Sequence, residues 1–503
     1  MLAIVRAATL LGVRGEPVSV EVHVSNGIPG FTIVGLPDTS CREARDRVRA
    51  ALLSTGLTWP QRRITVNLAP SGVRKVGAGL DLAIAVALLV ADEQLAASAT
   101  ELGYLGELGL DGAVRPIPGA LPMAAAIDTA EIVVAEANGP EAVVLGHHSV
   151  RTVGNLADVV ACVAGERPWS VPTTRTETAR PDVADLADVR GNTVARFALE
   201  VAAAGGHHLL MVGPPGAGKT MLAERLPGLL GDLDPDTALE VTTVHSAAGQ
   251  PLPPCGLIRH PPFRAPHHTV SQVALVGGGS HNLRPGEISL ATGGVLFLDE
   301  LGEFGAHSLD ALRQPLEEGV VRISRAHASA SMPARFQLVA AMNPCPCGLA
   351  STSRCRCTDA ALARYRRRLS GPLLDRFDLR ILVRPTSSAD LVGLSPGEPT
   401  SAVALRVERA RARARERGVD ANRYLGAAEL EGAAPLTGDA RSMLARAIDD
   451  GRLSGRGLRR VRAVALTLAD LNDHEGPIPE DIVAEAMALR AELTFGAPIA
   501  GAA

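Results

Sequence analysis

Apolar positions along the chain change their spacing twice, and the changes divide it into three stretches. Over the first third, short apolar runs at residues 31–34, 64–68 and 132–134 alternate with Ala/Leu-rich stretches such as residues 80–90. Short runs bounded by polar and turn residues predict strands and the longer stretches predict helices, so this region reads as mixed α/β. Residues 165–188 are rich in Pro, Thr and charge without apolar periodicity, which predicts a linker. A helical pattern at residues 195–203 then leads to a strand at 208–212 and a Gly-rich loop. Beyond a Pro/Ser/Gly-rich stretch at residues 385–400 the pattern is helical: 402–417, 439–449, 457–471 and 479–493.

With 503 residues, and roughly 100–200 residues per domain, the chain predicts about three domains. Apolar residues make up 46% and charged residues 21%, as in soluble globular proteins. No apolar run approaches the roughly 18 residues of a spanning helix, and the best candidate, residues 80–90, contains Asp81. The first residues carry no export signal, which predicts a cytoplasmic location and no membrane partner. A net charge of −4 gives no global attraction to nucleic acid, so any such binding must use local basic patches.

Gly213-Pro214-Pro215-Gly216-Ala217-Gly218-Lys219-Thr220 fits the phosphate-loop pattern G-x-x-x-x-G-K-[ST]. In it, small residues let backbone N–H groups close around phosphate at a helix N-terminus. Lys219 would reach the β- and γ-phosphates and Thr220 would hold Mg²⁺. The preceding strand and the following helical pattern, residues 221–230, supply the context the motif needs. Further on, Gly294-Val-Leu-Phe-Leu-Asp299-Glu300 reads as a buried strand delivering two carboxylates, Asp299 for Mg²⁺ and Glu300 for the attacking water. The residues alone therefore reach as far as an ATPase using ATP and Mg²⁺.

Cys345-Pro-Cys347 and Cys355-Arg-Cys357 place four of the seven cysteines close together. That crowding suits a reduced compartment and one tetrahedral ion, Zn²⁺ above others, against the alternative of thiols that pack or oxidise. Cys41, Cys162 and Cys255 stand alone and read as packing residues. His267 and His268, adjacent on an extended segment, should point to opposite faces, which disfavours one shared ion and leaves structural or pore-loop roles. The arginines at 364–368 and at 406, 409, 411, 413, 415 and 417 read as solvated faces.

Several longer segments carry a family resemblance: Val24-Ser-Asn-Gly-Ile-Pro-Gly-Phe-Thr-Ile-Val-Gly-Leu-Pro-Asp, Phe263-Arg-Ala-Pro-His-His-Thr, Gly277-Gly-Gly-Ser, Arg284-Pro-Gly-Glu-Ile-Ser-Leu-Ala, Asn343-Pro-Cys-Pro-Cys-Gly and Leu369-Ser-Gly-Pro-Leu-Leu-Asp-Arg-Phe-Asp. Through them essentially the whole chain resembles the YifB/ComM family of magnesium-chelatase-like AAA+ ATPases. The resemblance implies an α/β protein with four parts. Residues 1–165 would be a Lon-protease-like α+β domain and 166–188 a linker. Residues 189–385 would be an AAA+ core with a helix-2 insertion and a hairpin before the sensor strand, and 386–503 a helical lid similar to the magnesium-chelatase C-terminal region.

The resemblance also implies roles. Asn343, after the apolar strand 337–341, looks like the sensor that orients the hydrolytic water. Arg376 looks like an arginine finger given to a neighbouring subunit, hence a ring, a hexamer in such relatives. Arg456 looks like the lid sensor arginine, with Arg459 as competitor; the alternative for either finger or sensor is an ordinary surface charge. The stretch containing His267, His268 and the Gly277 turn resembles the helix-2 insertion. Val321-Arg322-Ile-Ser-Arg325-Ala-His327 resembles the pore hairpin, where Arg322 and Arg325 would grip the phosphate backbone of DNA, against an exposed hairpin with no ligand.

In the Lon-like region, alignment puts Gly79 where proteases of that type carry serine and Leu121 where they carry lysine, so neither can perform proteolysis. Ser71 and Lys75 read as polar surface rather than a substitute dyad, and the domain as a scaffold or DNA-handling module. Two functions follow from the resemblance. One is a DNA helicase or translocase promoting branch migration in recombination or natural transformation, with single-stranded or branched DNA as partner. The alternative is a chelatase- or MoxR-like motor remodelling a protein partner, although no D-x-S-x-S metal motif occurs in the chain.

Overall fold

Alternation of buried and exposed side chains explains the first sheet of the computed structural model, which describes residues 1–173, 183–279, 283–325, 328–349, 355–368, 371–385 and 397–490. Its strands are Leu2–Leu11 (β1), Arg14–Ser25 (β2), Gly30–Val34 (β3), Arg63–Ala69 (β4), Gly103–Leu105 (β5), Glu131–Ala135 (β6) and Ser149–Val153 (β7), ordered β3-β4-β2-β1-β5-β6-β7. The pairs β1–β2 and β2–β4 are antiparallel and the remainder parallel. Helix Asp81–Ala91 (α2), apolar all round, is buried along its whole length against β1, β2 and the helix Thr39–Ser54 (α1).

The second sheet is parallel throughout: Leu209–Val212 (β8), Phe263–Arg264 (β9), Val295–Leu298 (β12), Gln337–Met342 (β15) and Leu379–Leu382 (β16), ordered β9-β12-β15-β8-β16. Two small antiparallel pairs interrupt that series, Gly277–Gly278 (β10) with Arg284–Pro285 (β11) and Val320–Arg325 (β13) with Ala328–Pro333 (β14). Every residue of β8, β12 and β15 is buried, as a parallel sheet covered on both faces requires. Helices Thr193–Gly205 (α3), Lys219–Leu229 (α4) and Pro235–Ala247 (α5) belong to this layer, and Asp359–Arg368 (α6) follows the cysteines.

Four longer C-terminal helices complete the chain: Thr400–Glu416 (α7), Gly438–Asp449 (α8), Gly455–Leu471 (α9) and Glu480–Ala488 (α10). Arg409 and Arg415 of α7 face solvent as expected, whereas Arg406, Arg411 and Arg417 at the helix end dock it. Arg406 pairs with Glu200 on α3 at 2.6 Å, Arg411 Nε donates to the Ala203 carbonyl, and Arg417 pairs with Asp470 on α9.

Three expectations change. The hairpin β1–β2, the longest strand pair, is absent from the sequence reading although β2 carries the signal, Val18-Ser-Val-Glu-Val-His-Val24 alternating apolar and polar side chains; only residues 7–10 of β1, buried in succession, lack it. The expected linker is partly docked: the Thr152 amide donates to the Ser170 carbonyl and Leu186 is buried, while residues 174–182 lie outside the described residues. Lys75, expected on the surface, is fully buried with its ammonium donating to the Pro70 carbonyl, and burial lowers its pKa. No helix among the described residues is long and apolar enough to cross a membrane.

The N-terminal region packs directly against the hairpin β13–β14 and helix α5. Gly12, in the β1–β2 turn at φ +64°, lies against Ala330 of β14, where an added Cβ would come within 2.8 Å of the alanine methyl. The Gly119 amide donates to the Ser246 carbonyl of α5 at 2.8 Å. The hairpin β13–β14 is thus backed by the first sheet.

Candidate nucleotide-binding site

In an open parallel sheet, ligands gather beyond the carboxyl ends of the strands where the chain direction of winding switches. Here β8 runs into the loop 213–218, α4 starts at Lys219, and β15 lies between β8 and β12. The ends of β8, β15 and β12 therefore present Lys219, Asn343 and the Asp299-Glu300 pair side by side. Gly213 cannot carry a side chain, because a Cβ would lie 2.3 Å from the Val383 carbonyl oxygen. Gly218 caps α4 at φ +85°, a left-handed conformation open to glycine without strain.

The side chains interlock. Lys219 Nζ donates to the carbonyls of Gly213 at 2.8 Å and Pro214 at 2.9 Å, and to Asn343 Oδ1 at 3.3 Å. Burial lowers its pKa, opposed by the charges of Asp299 and Glu300. Thr220 Oγ1 donates to Asp299 Oδ2 at 2.8 Å, and Asp299 Oδ1 accepts from the Glu300 amide. Two oxygens so placed at the mouth of the loop match the hard oxygen ligands Mg²⁺ prefers. Glu300 itself holds φ +51° and is exposed, its carboxylate leaning outward from the end of β12. Gly216 and Ala217 complete the loop, with the Ala217 carbonyl accepting from Asn192.

One partner of Glu300 escaped the sequence reading. His268 Nδ1 lies 3.2 Å from Glu300 Oε2, and its ring stacks on His267 at 4.1 Å instead of facing away from it. The tight turn closed by the Val270 amide onto the His267 carbonyl accounts for the departure from extended geometry.

The two predicted arginines sit elsewhere. Arg376 precedes β16, whose Leu379 pairs with Leu209 at the start of β8, so it lies at the opposite edge of the sheet from the phosphate loop. It is buried rather than a surface charge, paired with Glu317, and its Nη1 donates to the Pro372 carbonyl. Arg456 is exposed on the first turn of α9 and shares a groove with Glu317, Arg423, Arg459 and Arg460. Neither arginine meets the phosphate loop of its own chain.

That same edge is closed by buried charge. Asp378 accepts from Arg460 at 2.8 Å and from the His208 amide at 2.9 Å, with Arg423 at 3.3 Å. Burial alone would raise its pKa, yet Arg423 and Arg460 hold it far below the usual carboxylate range.

Arg322 and Arg325 lie exposed on β13, Arg322 paired with Glu318. Gly277 and Gly278 of β10 reach this strand: a Cβ on Gly277 would lie 3.2 Å from Ile323, and one on Gly278 3.5 Å from the Arg325 guanidinium. The β10–β11 turn and the hairpin β13–β14 therefore touch; residues 326–327, with His327, and Ser280 lie outside the described residues.

The four predicted cysteines converge. Their sulfurs all lie within 4.8 Å of one another, with Cys345–Cys347 at 3.4 Å, Cys347–Cys355 at 3.6 Å and Cys345–Cys355 at 3.9 Å, and all are free thiols. A tetrahedral site with metal–sulfur bonds near 2.3 Å has sulfur–sulfur edges of about 3.8 Å, so the set fits Zn²⁺. Amides of Leu349 and Arg356 bring the Cys347 thiol down to about 6, while burial pushes Cys345 up to about 12.

Comparison with known proteins bears on the whole chain. The family model described as magnesium chelatase, subunit ChlI, matches residues 185–391; that for subunit ChlI of Mg-chelatase matches 20–138, and that for the ChlI C-terminal region matches 397–490. Protein YifB of Escherichia coli K12 is 43% identical over 495 residues, covering 97% of each chain. Competence protein ComM of Haemophilus influenzae is 43% identical over 500 residues, again 97% of each. An uncharacterized protein of Mycobacterium tuberculosis is 45% identical over 481 residues, 94% of this chain and 95% of its own. At this identity over nearly the full length, the chain belongs to the YifB/ComM family of magnesium-chelatase-like AAA+ ATPases.

Proposed function

We propose that this ATPase is a ring-forming DNA motor, a helicase or translocase that promotes branch migration during recombination or natural transformation. The observation that carries the reading is the approach of Ile323 and Arg325, on the strand that also bears Arg322, to the Gly277-Gly278 turn, on the strand pair immediately preceding β15. Movement of Asn343 with bound nucleotide would pass through β15 to that hairpin, and a cationic hairpin grips DNA through its phosphates irrespective of sequence.

The chemistry assigned to each residue is local. Gly213 to Gly218 wrap the phosphates with backbone amides, Lys219 balances their charge, and Thr220 with Asp299 holds Mg²⁺, which when bound neutralises charge on the β- and γ-phosphates. Glu300 takes the proton of the attacking water while Asn343 orients it. Arg376 and Arg456, at the far edge of the sheet, serve the nucleotide of a neighbouring subunit, and this division of labour supports a ring, a hexamer in our reading. The N-terminal mixed sheet is a Lon-like scaffold without protease chemistry, since Leu121 is fully buried and Gly79 offers no side chain. The helices after residue 397 act as the lid, and the four cysteines hold a structural Zn²⁺.

The test is ATP turnover of the purified protein with and without single-stranded and branched DNA, using Glu300→Gln as inactive control. Stimulation by DNA that is weakened by Arg325→Ala supports the motor on DNA. Turnover indifferent to every DNA, with no binding at low salt, overturns it in favour of a motor remodelling a protein partner.

A further inference from the structure

The cysteine cluster is built against the nucleotide loop. Its first turn closes with the Gly348 amide donating to the Cys345 carbonyl at 3.0 Å. Gly348, at φ +75°, lies so near Pro215 of the phosphate loop that a Cβ would come within 2.6 Å of the proline ring and 3.9 Å from Asn343. Asn343 stands two positions before Cys345 and accepts from Lys219. Its backbone carbonyl accepts from the Tyr365 hydroxyl at 2.9 Å, on the helix that follows the last cysteine. The Tyr365 ring in turn covers Gly302, two residues beyond Glu300, so closely that a Cβ there would lie 2.3 Å from it.

No helix or strand spans residues 345–349 or 355–358. A segment without a ladder of backbone hydrogen bonds holds one conformation only where something else offsets its chain entropy. A closed thiolate site does this directly, because its binding free energy is released as local folding.

Resting on the reading of the cysteines as a zinc site, we infer that the ion at Cys345, Cys347, Cys355 and Cys357 is the clamp that holds Pro215 and Asn343 in place, making nucleotide affinity depend on metal occupancy. The clamp acts on three parts of the site at once: the phosphate loop through Gly348, the sensor through Cys345, and the segment after Glu300 through Tyr365.

The experiment uses the full chain in constant Mg²⁺. Zinc is counted by atomic emission, released with a mercurial thiol reagent and a zinc-selective chelator, and returned with reductant and zinc chloride. At each stage the affinity for a fluorescent ADP analogue is measured, with far-UV circular dichroism as a check on the fold. About one zinc per chain is expected, with roughly tenfold weaker nucleotide binding on its removal, about 1.4 kcal/mol, unchanged helix content and recovery on reloading. Cys355→Ser should reproduce the metal-free affinity without any reagent. Release of zinc with affinity unchanged overturns the clamp and leaves the zinc site standing. Absence of zinc from the purified chain overturns both. Collapse of helix content on removal also overturns the clamp, since the metal would then determine the whole fold and not the nucleotide site.

Discussion

The two ends of β8 are built in opposite ways. At its carboxyl end, Lys219 and Asn343 interlock, Thr220 and Asp299 share a hydrogen bond, and Glu300 stays exposed. At its amino end, His207 and His208 are completely buried beside Asp378, which Arg423 and Arg460 neutralise from distant segments. The first end carries charge that a ligand can complete; the second carries charge that the protein has already completed. Within one chain the sheet thus separates the groups that face its own nucleotide from buried, compensated charge, and a change at the amino end should leave the phosphate-loop end of the same chain intact.

The largest effect expected is on turnover alone. Glu300→Gln removes the carboxylate proposed to accept the proton without altering shape, and loss of a positioned general base slows reaction by roughly 10²–10⁴-fold. Phosphate release measures it, with nucleotide affinity and melting temperature unchanged. The converse belongs to the other end. Asp378→Ala strands Arg423 and Arg460 without a counter-charge, and breaking such a buried pair costs about 3–5 kcal/mol. Denaturant unfolding measures that loss, while nucleotide affinity of the folded protein should stay within twofold. A joint loss of affinity and stability in Asp378→Ala would break the separation.

A third effect is set by pH. Burial lowers His207 from its usual range to about 4, and His208 lies well below its usual value for the same reason. The unfolded chain takes up protons below pH 6.5 that the folded chain refuses, so this stability is present above 6.5 and lost as pH falls toward 4. For His207 alone this amounts to roughly 3 kcal/mol. Asp81 acts with the opposite sign, since burial pushes it up to about 6 against the pull of Arg47. The cleaner measurement is therefore the difference between wild type and His207→Gln, whose stability should fall less steeply between pH 6.5 and 4.

The same contrast governs what was legible in the sequence. The carboxyl end was readable because its parts are short-range: eight consecutive residues form the loop, and each further group ends an apolar strand. The cysteine cluster was readable for the same reason, its four thiols lying between positions 345 and 357. The amino end was not, because Asp378 meets His208 across 170 positions and Arg406 meets Glu200 across 206. A signal existed: Glu200 interrupts the apolar run 197–204 of α3 and so demands a counter-charge, which Arg196 one turn earlier and Arg406 from elsewhere supply. Lys75 and Arg376 carried no comparable sign, since each has a second charged residue beside it in sequence, Arg74 or Asp375, and looks the same whether it ends in solvent or against a buried carbonyl.

The smallest effect tests the contact at the carboxyl end that no sequence motif announces. His268 approaches Glu300 across a gap of intermediate exposure, the two side chains being 28% and 55% exposed. An ion-pair contact at this exposure contributes about 1 kcal/mol or less, so His268→Ala should slow turnover by less than roughly tenfold. The loss should fall on kcat and not on KM, because the ring meets the carboxylate that polarises water and none of the phosphate-loop residues. His268→Asn, which keeps a donor at similar reach, should recover part of it. A rise in turnover in His268→Ala would reverse the assignment, making the histidine a restraint that holds Glu300 away from water.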